Sequence, residues 1–265
     1  MSDFDLEKYL ERIGYSRVTV PDLATLTALH RAHVHAIAFE NLEIQMGGSI
    51  ELDAETLQAK MVRRKRGGYC FEQNNLLLLA LRSIGFTVEA REARVRQNDG
   101  GAVRPRTHMV LTVRCEEREW LADAGFGGDG LVEPIALDGC ASEQAGVFYR
   151  VAPEGATSVL QRKVDGAWED LYAVQPGSPV AVDFEVGNWF TSTYPGSPFV
   201  LTLTAQRVIQ NTRHTLRNLT YTIARGREIE VREISRSELV PLLRGTFGLD
   251  VPEDARFLAL DSQSV

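Results

Sequence analysis

The feature that most constrains this chain is a change of apolar period at Gly85. From Phe71 to Ile84 the sequence is rich in leucine, and it closes on a glycine suited to a helix C-terminus. From Thr87 the period falls toward two. Thr87 to Arg96, residues 107–113 and residues 119–124 read as strands. Before the change the signals are helical. Asp5 to Ile13 is one helix, and Pro21 to about Ala36 is another, with proline near its first position. Asp53 N-caps a third that runs to Lys65. After it, Val159 to Val174 is a hairpin around Asp165-Gly166, a dipeptide that favours a type I′ turn. Val180 to Tyr194 is less regular. Phe199 to Ile209, Thr215 to Ala224 and Glu228 to Ile234 read as strands, the last two joined at Arg225-Gly226. Ser235-x-x-Glu238 is a capping box that opens a final helix toward Leu243. Helices, then strands, then a mixed end make an α+β pattern. Boundaries near 85 and 185 divide it into residues 1–85, helical, residues 86–185, an antiparallel sheet or small barrel, and residues 186–265, mixed α/β.

At 265 residues the chain is long enough for a large core or for two or three subdomains. A net charge of −7 weighs against a general affinity for nucleic acid or an anionic membrane surface. The exception is the basic run Arg63-Arg64-Lys65-Arg66. It suits either a phosphate group or a helix C-terminus, and the second suits Arg63 and Arg64 better. Residues 1–15 are acidic and amphipathic, without the apolar segment of a secretory signal. No stretch approaches transmembrane length. The cysteines Cys70, Cys115 and Cys140 are far apart and odd in number, which points to a reducing, cytoplasmic setting. No CxxC, HExxH or P-loop lysine pattern occurs, so no metal site is expected. Nothing in the sequence fixes the oligomeric state.

The chemistry concentrates in Arg66-Gly67-Gly68-Tyr69-Cys70-Phe71-Glu72-Gln73-Asn74. Two glycines permit a backbone bend that side chains resist, and the helical stretch follows at once. Cys70 therefore stands at a helix N-terminus, where unpaired amides and the macrodipole favour an anion and make a thiol easier to ionise. The plainer alternative is a small buried hydrophobe. His108 opens the alternating stretch 107–113. Asp123 ends the next apolar strand and leads into a glycine-rich loop. If those strands turn at Cys115-Glu116, His108 and Asp123 face each other; a turn two residues later puts Asp123 beside Thr112. A cysteine, a histidine and an aspartate in this order supply what acyl transfer needs: a thiolate, a proton carrier and a carboxylate that fixes the imidazole tautomer.

These segments resemble the arylamine N-acetyltransferase family. Its Arg-Gly-Gly-x-Cys-x-Glu-x-Asn signature is matched by Arg66, Gly67, Gly68, Cys70, Glu72 and Asn74. Its Thr-His element is matched by Thr107 and His108, and its Asp-x-Gly-Phe-Gly element by Asp123, Gly125, Phe126 and Gly127. His33 and Ile37-Ala38-Phe39-Glu40-Asn41-Leu42 match an N-terminal element, with Ala38 where the family has proline. Asn188, Ser192-Thr193 and residues 195–199 match a further stretch.

The resemblance implies a helical bundle, a β-barrel and an α/β lid around a cysteine-protease-like Cys-His-Asp core, with the three residues meeting between the first two. It implies acetyl-CoA as donor, an arylamine or arylhydrazine as acceptor, and a ping-pong reaction through an acetylated Cys70 with His108 and Asp123 as its partners. Thr107, Gly125, Phe126, Gly127 and Gly128 are the expected coenzyme contacts. Phe39, Val95, Phe126 and Phe199 are expected near the acceptor, core packing being the plainer role for each. Arg66 is the obvious partner for a buried Glu72. Chemistry alone leaves open a different cysteine enzyme, such as a thiol amidase or a transglutaminase-like protein, and a binding protein that merely keeps the fold.

Overall fold

The structure, a computed structural model, describes residues 4–97, 100, 102–226 and 228–261. Helices α1 (Leu6–Ile13) and α2 (Leu23–Ala36) open the chain. Asp22 caps α2 by accepting from the Thr25 amide at 2.7 Å, so Pro21 stands ahead of the cap rather than in the first turn. A two-residue strand, β1 (Phe39–Glu40), precedes the short helix α3 (Leu42–Gln45). Asp53 caps α4 (Ala54–Leu57) as expected, but the α-helix does not continue to Lys65: Gln58–Arg63 winds as a π-helix. Then comes α5 (Cys70–Ile84), closed by Gly85 at φ 103°, a left-handed conformation that strains any residue with a Cβ.

Strands β2 (Thr87–Val95), β3 (His108–Cys115), β4 (Arg118–Ala122), β5 (Ile135–Ala136), β6 (Ser142–Gln144), β7 (Val147–Glu154), β8 (Thr157–Val164) and β9 (Ala167–Val174) follow. They form one antiparallel sheet in the order β5-β4-β3-β2-β9-β8-β7-β6. The sheet curls until β5 meets β7, a nearly closed barrel. The β8–β9 turn has Asp165 and Gly166 at positive φ, as a type I′ turn requires.

The segment expected to be irregular is helix α6 (Ala181–Thr193). Its apolar pattern misleads because Val182, Val186 and Trp189 point outward, each more than half exposed. Asp183 caps it by accepting from the Val180 amide at 2.8 Å. A helical turn, α7 (Pro198–Leu201), takes Phe199 out of the expected strand. Four strands follow, β10 (Thr204–Ile209), β11 (Thr212–Arg217), β12 (Thr220–Arg225) and β13 (Glu228–Glu233). The single strand expected over 215–224 is split into a hairpin by Asn218 at φ 52°. Helix α8 (Arg236–Gly245) starts at the expected capping box, with the Ser235 amide 2.8 Å from Glu238 Oε2; α9 (Leu258–Asp261) ends the described chain. The second sheet has the order β1-β10-β11-β12-β13. Its edge strand comes from the helical third: Phe39 pairs with Gln206 and Glu40 with Ala205.

Helix α5 is the hub. It packs on β2 and β3 and is crossed by α1, α2 and α4. Cys70 to Asn74, Leu76, Leu77, Leu78, Ala80 and Leu81 are all buried, which explains a stretch apolar around most of its circumference. Each leucine so buried is worth about 1.5–3 kcal/mol. The first residue of α5 is thereby fixed against the inner edge of the barrel sheet. Among the described residues no helix is long and apolar enough to cross a membrane.

Candidate active site

Cys70 is the first residue of α5, and two buried carboxylates hold the bend that leads into it. Glu40 Oε1 accepts from the Gly67 amide at 3.1 Å and from Arg66 Nε at 3.2 Å. Glu72 Oε2 accepts from the Tyr69 amide at 3.1 Å, while its Oε1 accepts from Lys60 Nζ at 2.7 Å. The expected Arg66–Glu72 pair is therefore replaced by two crossed pairs, Arg66 with Glu40 and Lys60 with Glu72. The π-helix supplies the reason. Its widened turn aims Lys60 inward, beneath the bend, where regular α-helix was expected. Burial opposes the charge on Lys60, but Glu72 and Glu40 together raise its pKa above the ordinary lysine value. Burial pushes Glu72 up, and Glu40 adds to it against the pull of Lys60.

Breaking such a pair from one side strands the other charge. Lys60→Met is expected to cost about 3–5 kcal/mol, read as a lowered urea midpoint, and adding Glu72→Gln should restore part of that loss. The rest of the basic run has local partners: Arg63 pairs with Glu55, and Arg64 Nε lies 3.4 Å from the Ala59 carbonyl at the helix end.

His108 and Asp123 meet, although not by the expected register. The β3–β4 ladder pairs Leu111 with Ala122 and Cys115 with Arg118, so the turn is Glu116-Glu117, both at positive φ. Extended by one step, that register sets Asp123 opposite Val110, with His108 its diagonal neighbour on the same face. A diagonal separation is within reach of long side chains. His108 Nε2 lies 2.8 Å from Asp123 Oδ2. The Cys70 sulfur acts on the same ring by raising its pKa, and with Nε2 turned to Asp123 the nitrogen left for it is Nδ1. Sγ is also 3.6 Å from the Thr107 carbonyl. All three residues are buried, at 4%, 3% and 1% exposure for Cys70, His108 and Asp123.

Asn74, one helical turn beyond Cys70, ties these parts together. Its Nδ2 donates to Asp123 Oδ1 at 2.9 Å and to the Met109 carbonyl at 2.6 Å, and its Oδ1 accepts from the Ala124 amide at 3.0 Å. The Gly125 amide donates to Asp123 Oδ1 at 2.8 Å. Burial alone would raise the Asp123 pKa, but the charge and hydrogen bond of His108, then Asn74 and Gly125, bring it below the usual carboxylate value. For His108 burial is again the largest influence and opposes the charge. The Asp123 carboxylate, followed by the Cys70 sulfur, reverses it and raises the imidazole to about 10.

A raised histidine pKa stabilises the fold fully below the unfolded value of about 6.5, and that benefit is lost as pH climbs through the folded value. The Tm advantage of the natural protein over His108→Gln should therefore shrink between about pH 6.5 and pH 10. A gap that stays constant over this range would mean that the imidazole carries no bound proton there.

The loop after Asp123 crosses directly over the start of α5. A Cβ on Gly125 would stand 2.8 Å from Cys70 Cα and 2.7 Å from Asn74 Nδ2. Gly125→Ala must push the loop, and Asp123 with it, off Cys70; a shift of ~1 Å at such a site costs about 100-fold in rate. Comparable steady-state rates for the two proteins would contradict this. Gly127, at φ 87°, and Gly128 lie under the Gln206 side chain of β10, which accepts from the Gly128 amide. The chain's own packing thus already demands glycine at Gly127, while a Cβ on Gly128 would meet Gln206 and Thr215 only tightly, at 3.1 Å.

The other expected site residues fall into two groups. The Phe126 ring lies 5.3 Å from the His108 ring, and Val95 pairs across the sheet with Tyr172. Phe39 and Phe199, 6.0 Å apart, form a second aromatic group with Tyr69, which lies 5.4 Å from Phe199. Asn41 fixes Phe199 by donating to its carbonyl at 2.7 Å. Thr107 is half-buried at the edge of the site, with its carbonyl toward Cys70.

Two contributors carry no sequence signal. Tyr172 lies 4.8 Å from the His108 ring and 5.1 Å from Phe126. It arrives only because the barrel sheet sets β9 beside β2. Burial first, and then the Asp123 charge, raise its pKa well above the ordinary tyrosine value. Its hydroxyl faces Asp123 without a well-formed hydrogen bond among the described residues. Lys60 was hidden by the unforeseen π-helix.

A family model described as N-acetyltransferase matches residues 22–256. The arylamine N-acetyltransferase of Mycolicibacterium smegmatis is 38% identical over 254 residues, covering 93% of this chain and 92% of that protein. The structure of the arylamine N-acetyltransferase from Salmonella typhimurium superposes with a TM-score of 0.90 at 34% identity, over 100% of this chain and 98% of that one. The Mycobacterium marinum arylamine N-acetyltransferase, solved in complex with CoA, gives 0.88 at 36% identity over 93% of both chains. With a buried Cys-His-Asp constellation at the head of α5 and likeness along nearly its whole length, the chain belongs to the arylamine N-acetyltransferase family.

Proposed function

We propose that this enzyme moves an acetyl group from acetyl-CoA to an arylamine or arylhydrazine in two half-reactions, with the acetyl group resting on Cys70 between them. The observation that carries the reading is the relay Cys70–His108–Asp123, closed by the 2.8 Å contact between His108 and Asp123. The Cys70 proton passes to His108 Nδ1. Sγ attacks the thioester carbonyl, the carbonyl–sulfur bond to CoA breaks, and CoA leaves as the thiol with a proton from His108. The amine nitrogen then attacks the acetyl-cysteine, His108 takes the proton the amine sheds, and Cys70 leaves. Asp123 holds the ring so that Nδ1 faces sulfur, and it favours the imidazolium formed in each half-reaction. Unpaired amides in the first turn of α5 are the proposed donors to the oxyanion.

Acetyl-CoA as donor is supported by the CoA complex of the Mycobacterium marinum relative. Thr107, Gly125, Phe126, Gly127 and Gly128 are proposed as its contacts; Thr107 and Gly125 adjoin Cys70, Phe126 adjoins His108, and Gly127 and Gly128 continue the same loop. Phe126 and Phe199, backed by Phe39 and Val95, are proposed to hold the aromatic acceptor, since rings offer it a stacking face. Initial rates measured against both substrates test the scheme. Two half-reactions give parallel double-reciprocal lines; converging lines would mean direct transfer in a ternary complex.

A further inference from the structure

Two histidines of α2 are fully buried and take no part in the steps above. His33 serves the approach to Cys70. Its Nδ1 is 2.9 Å from the Tyr9 hydroxyl, and its Nε2 is 2.7 Å from Gln73 Oε1. Gln73 in turn donates to the carbonyls of Ala38, at 2.8 Å, and Gly68, at 3.1 Å. The Gln73 amide nitrogen is thus committed to carbonyls, its oxygen must accept, and His33 carries its proton on Nε2.

His30, one turn earlier, reaches the opposite end of the relay. Its Nδ1 is 3.0 Å from the Val132 carbonyl, which can only accept. Its Nε2 is 3.0 Å from the Asp123 amide nitrogen, which can only donate. One species satisfies both contacts: the neutral ring with its proton on Nδ1. Burial, which lowers the His30 pKa, favours that species. Asp123 needs this partner because it lies one residue beyond the last β3–β4 pair, Leu111 with Ala122. Its carboxylate is fixed by Asn74, Gly125 and His108, but its main chain is held by a side chain from a different layer of the fold.

We propose that His30 is a positioning residue. It anchors the Asp123 main chain to α2 and so sets where the carboxylate meets His108. The proposal rests on the Cys70–His108–Asp123 reading above. Two polar substitutions separate the two His30 contacts. Glutamine places an acceptor at the depth of Nε2 and can still hold the Asp123 amide. Asparagine reaches only to the depth of Nδ1 and can hold Val132 alone.

The test compares the natural protein, His30→Gln and His30→Asn in two measurements. One is the single-turnover rate of Cys70 acetylation by acetyl-CoA. The other is the far-downfield proton resonance of the His108–Asp123 hydrogen bond. His30→Gln should keep most of the rate and the resonance. His30→Asn should lose about 10- to 100-fold in rate and shift or broaden the resonance. If His30→Asn lowers Tm but leaves rate and resonance alone, His30 is only a packing residue and the proposal fails. It fails equally if His30→Gln is as damaged in both measurements as His30→Asn. Absence of the resonance from the natural protein would instead bring down the His108–Asp123 pairing, and this proposal with it.

Discussion

Replacing Cys70 by alanine is expected to abolish acetyl transfer while leaving the protein folded. Its sulfur heads α5 and, after Asp123, helps raise the pKa of the His108 ring. The other two cysteines offer no substitute. Cys115 is buried at the far end of β3, with Sγ 3.9 Å from the Pro21 carbonyl, and Cys140 is exposed. A lost nucleophile cannot be offset by orientation or oxyanion contacts, so the fall should be about 10⁴-fold or more in kcat, read as release of free CoA in the presence of amine. Loss of one buried sulfur is a modest packing defect, and the melting transition should remain cooperative. A Cys70→Ala enzyme that kept a tenth of its activity, even roughly, would remove the acetyl-cysteine from the mechanism.

The second large effect is expected from Asp123→Asn, and the hydrogen bonds around the side chain say why. Oδ1 receives two donors, Asn74 Nδ2 and the Gly125 amide. An asparagine there must turn its oxygen toward them, which leaves its NH₂ facing His108 Nε2. That nitrogen must then accept, and the ring proton moves to Nδ1, the side that faces Cys70. The imidazole is left in the tautomer that cannot take the thiol proton, and the carboxylate charge that favours the imidazolium is gone. A fall of about 10³- to 10⁴-fold in Cys70 acetylation follows, with little change in Tm because the two side chains have the same shape. Stopped-flow measurement of CoA release would show it. A variant within about tenfold of the natural rate would mean that Asp123 only holds its loop.

Much of this site was legible in the sequence because it is local. Cys70 stands where a glycine pair meets a leucine-rich helix, and α5 begins at that residue. The Ser235–Glu238 capping box and the Asp165-Gly166 turn are likewise written in adjacent residues. What the sequence hid is what depends on register or on distant layers. The β3–β4 turn lies one residue beyond the expected place, because Glu116 and Glu117 both adopt positive φ without a glycine to announce it. The contact with His108 survived because the diagonal neighbour is also in reach. Lys60 replaced Arg66 as the partner of Glu72 because a π-helix leaves no pattern distinct from an α-helix. Helix α6 went unrecognised because two valines and a tryptophan stand among its exposed residues. Tyr172, Gln206 and His30 reach the site from β9, β10 and α2, and no spacing along the chain brings them together.

The most direct test is to mix the protein with acetyl-CoA in the absence of any amine, record the intact mass, and map the modified peptide. The expected result is one acetyl group, on Cys70, that disappears when an arylamine is added and does not form in Asp123→Asn. An unmodified protein that nevertheless acetylates the amine, or a stable acetyl group on any other side chain, would contradict the central claim.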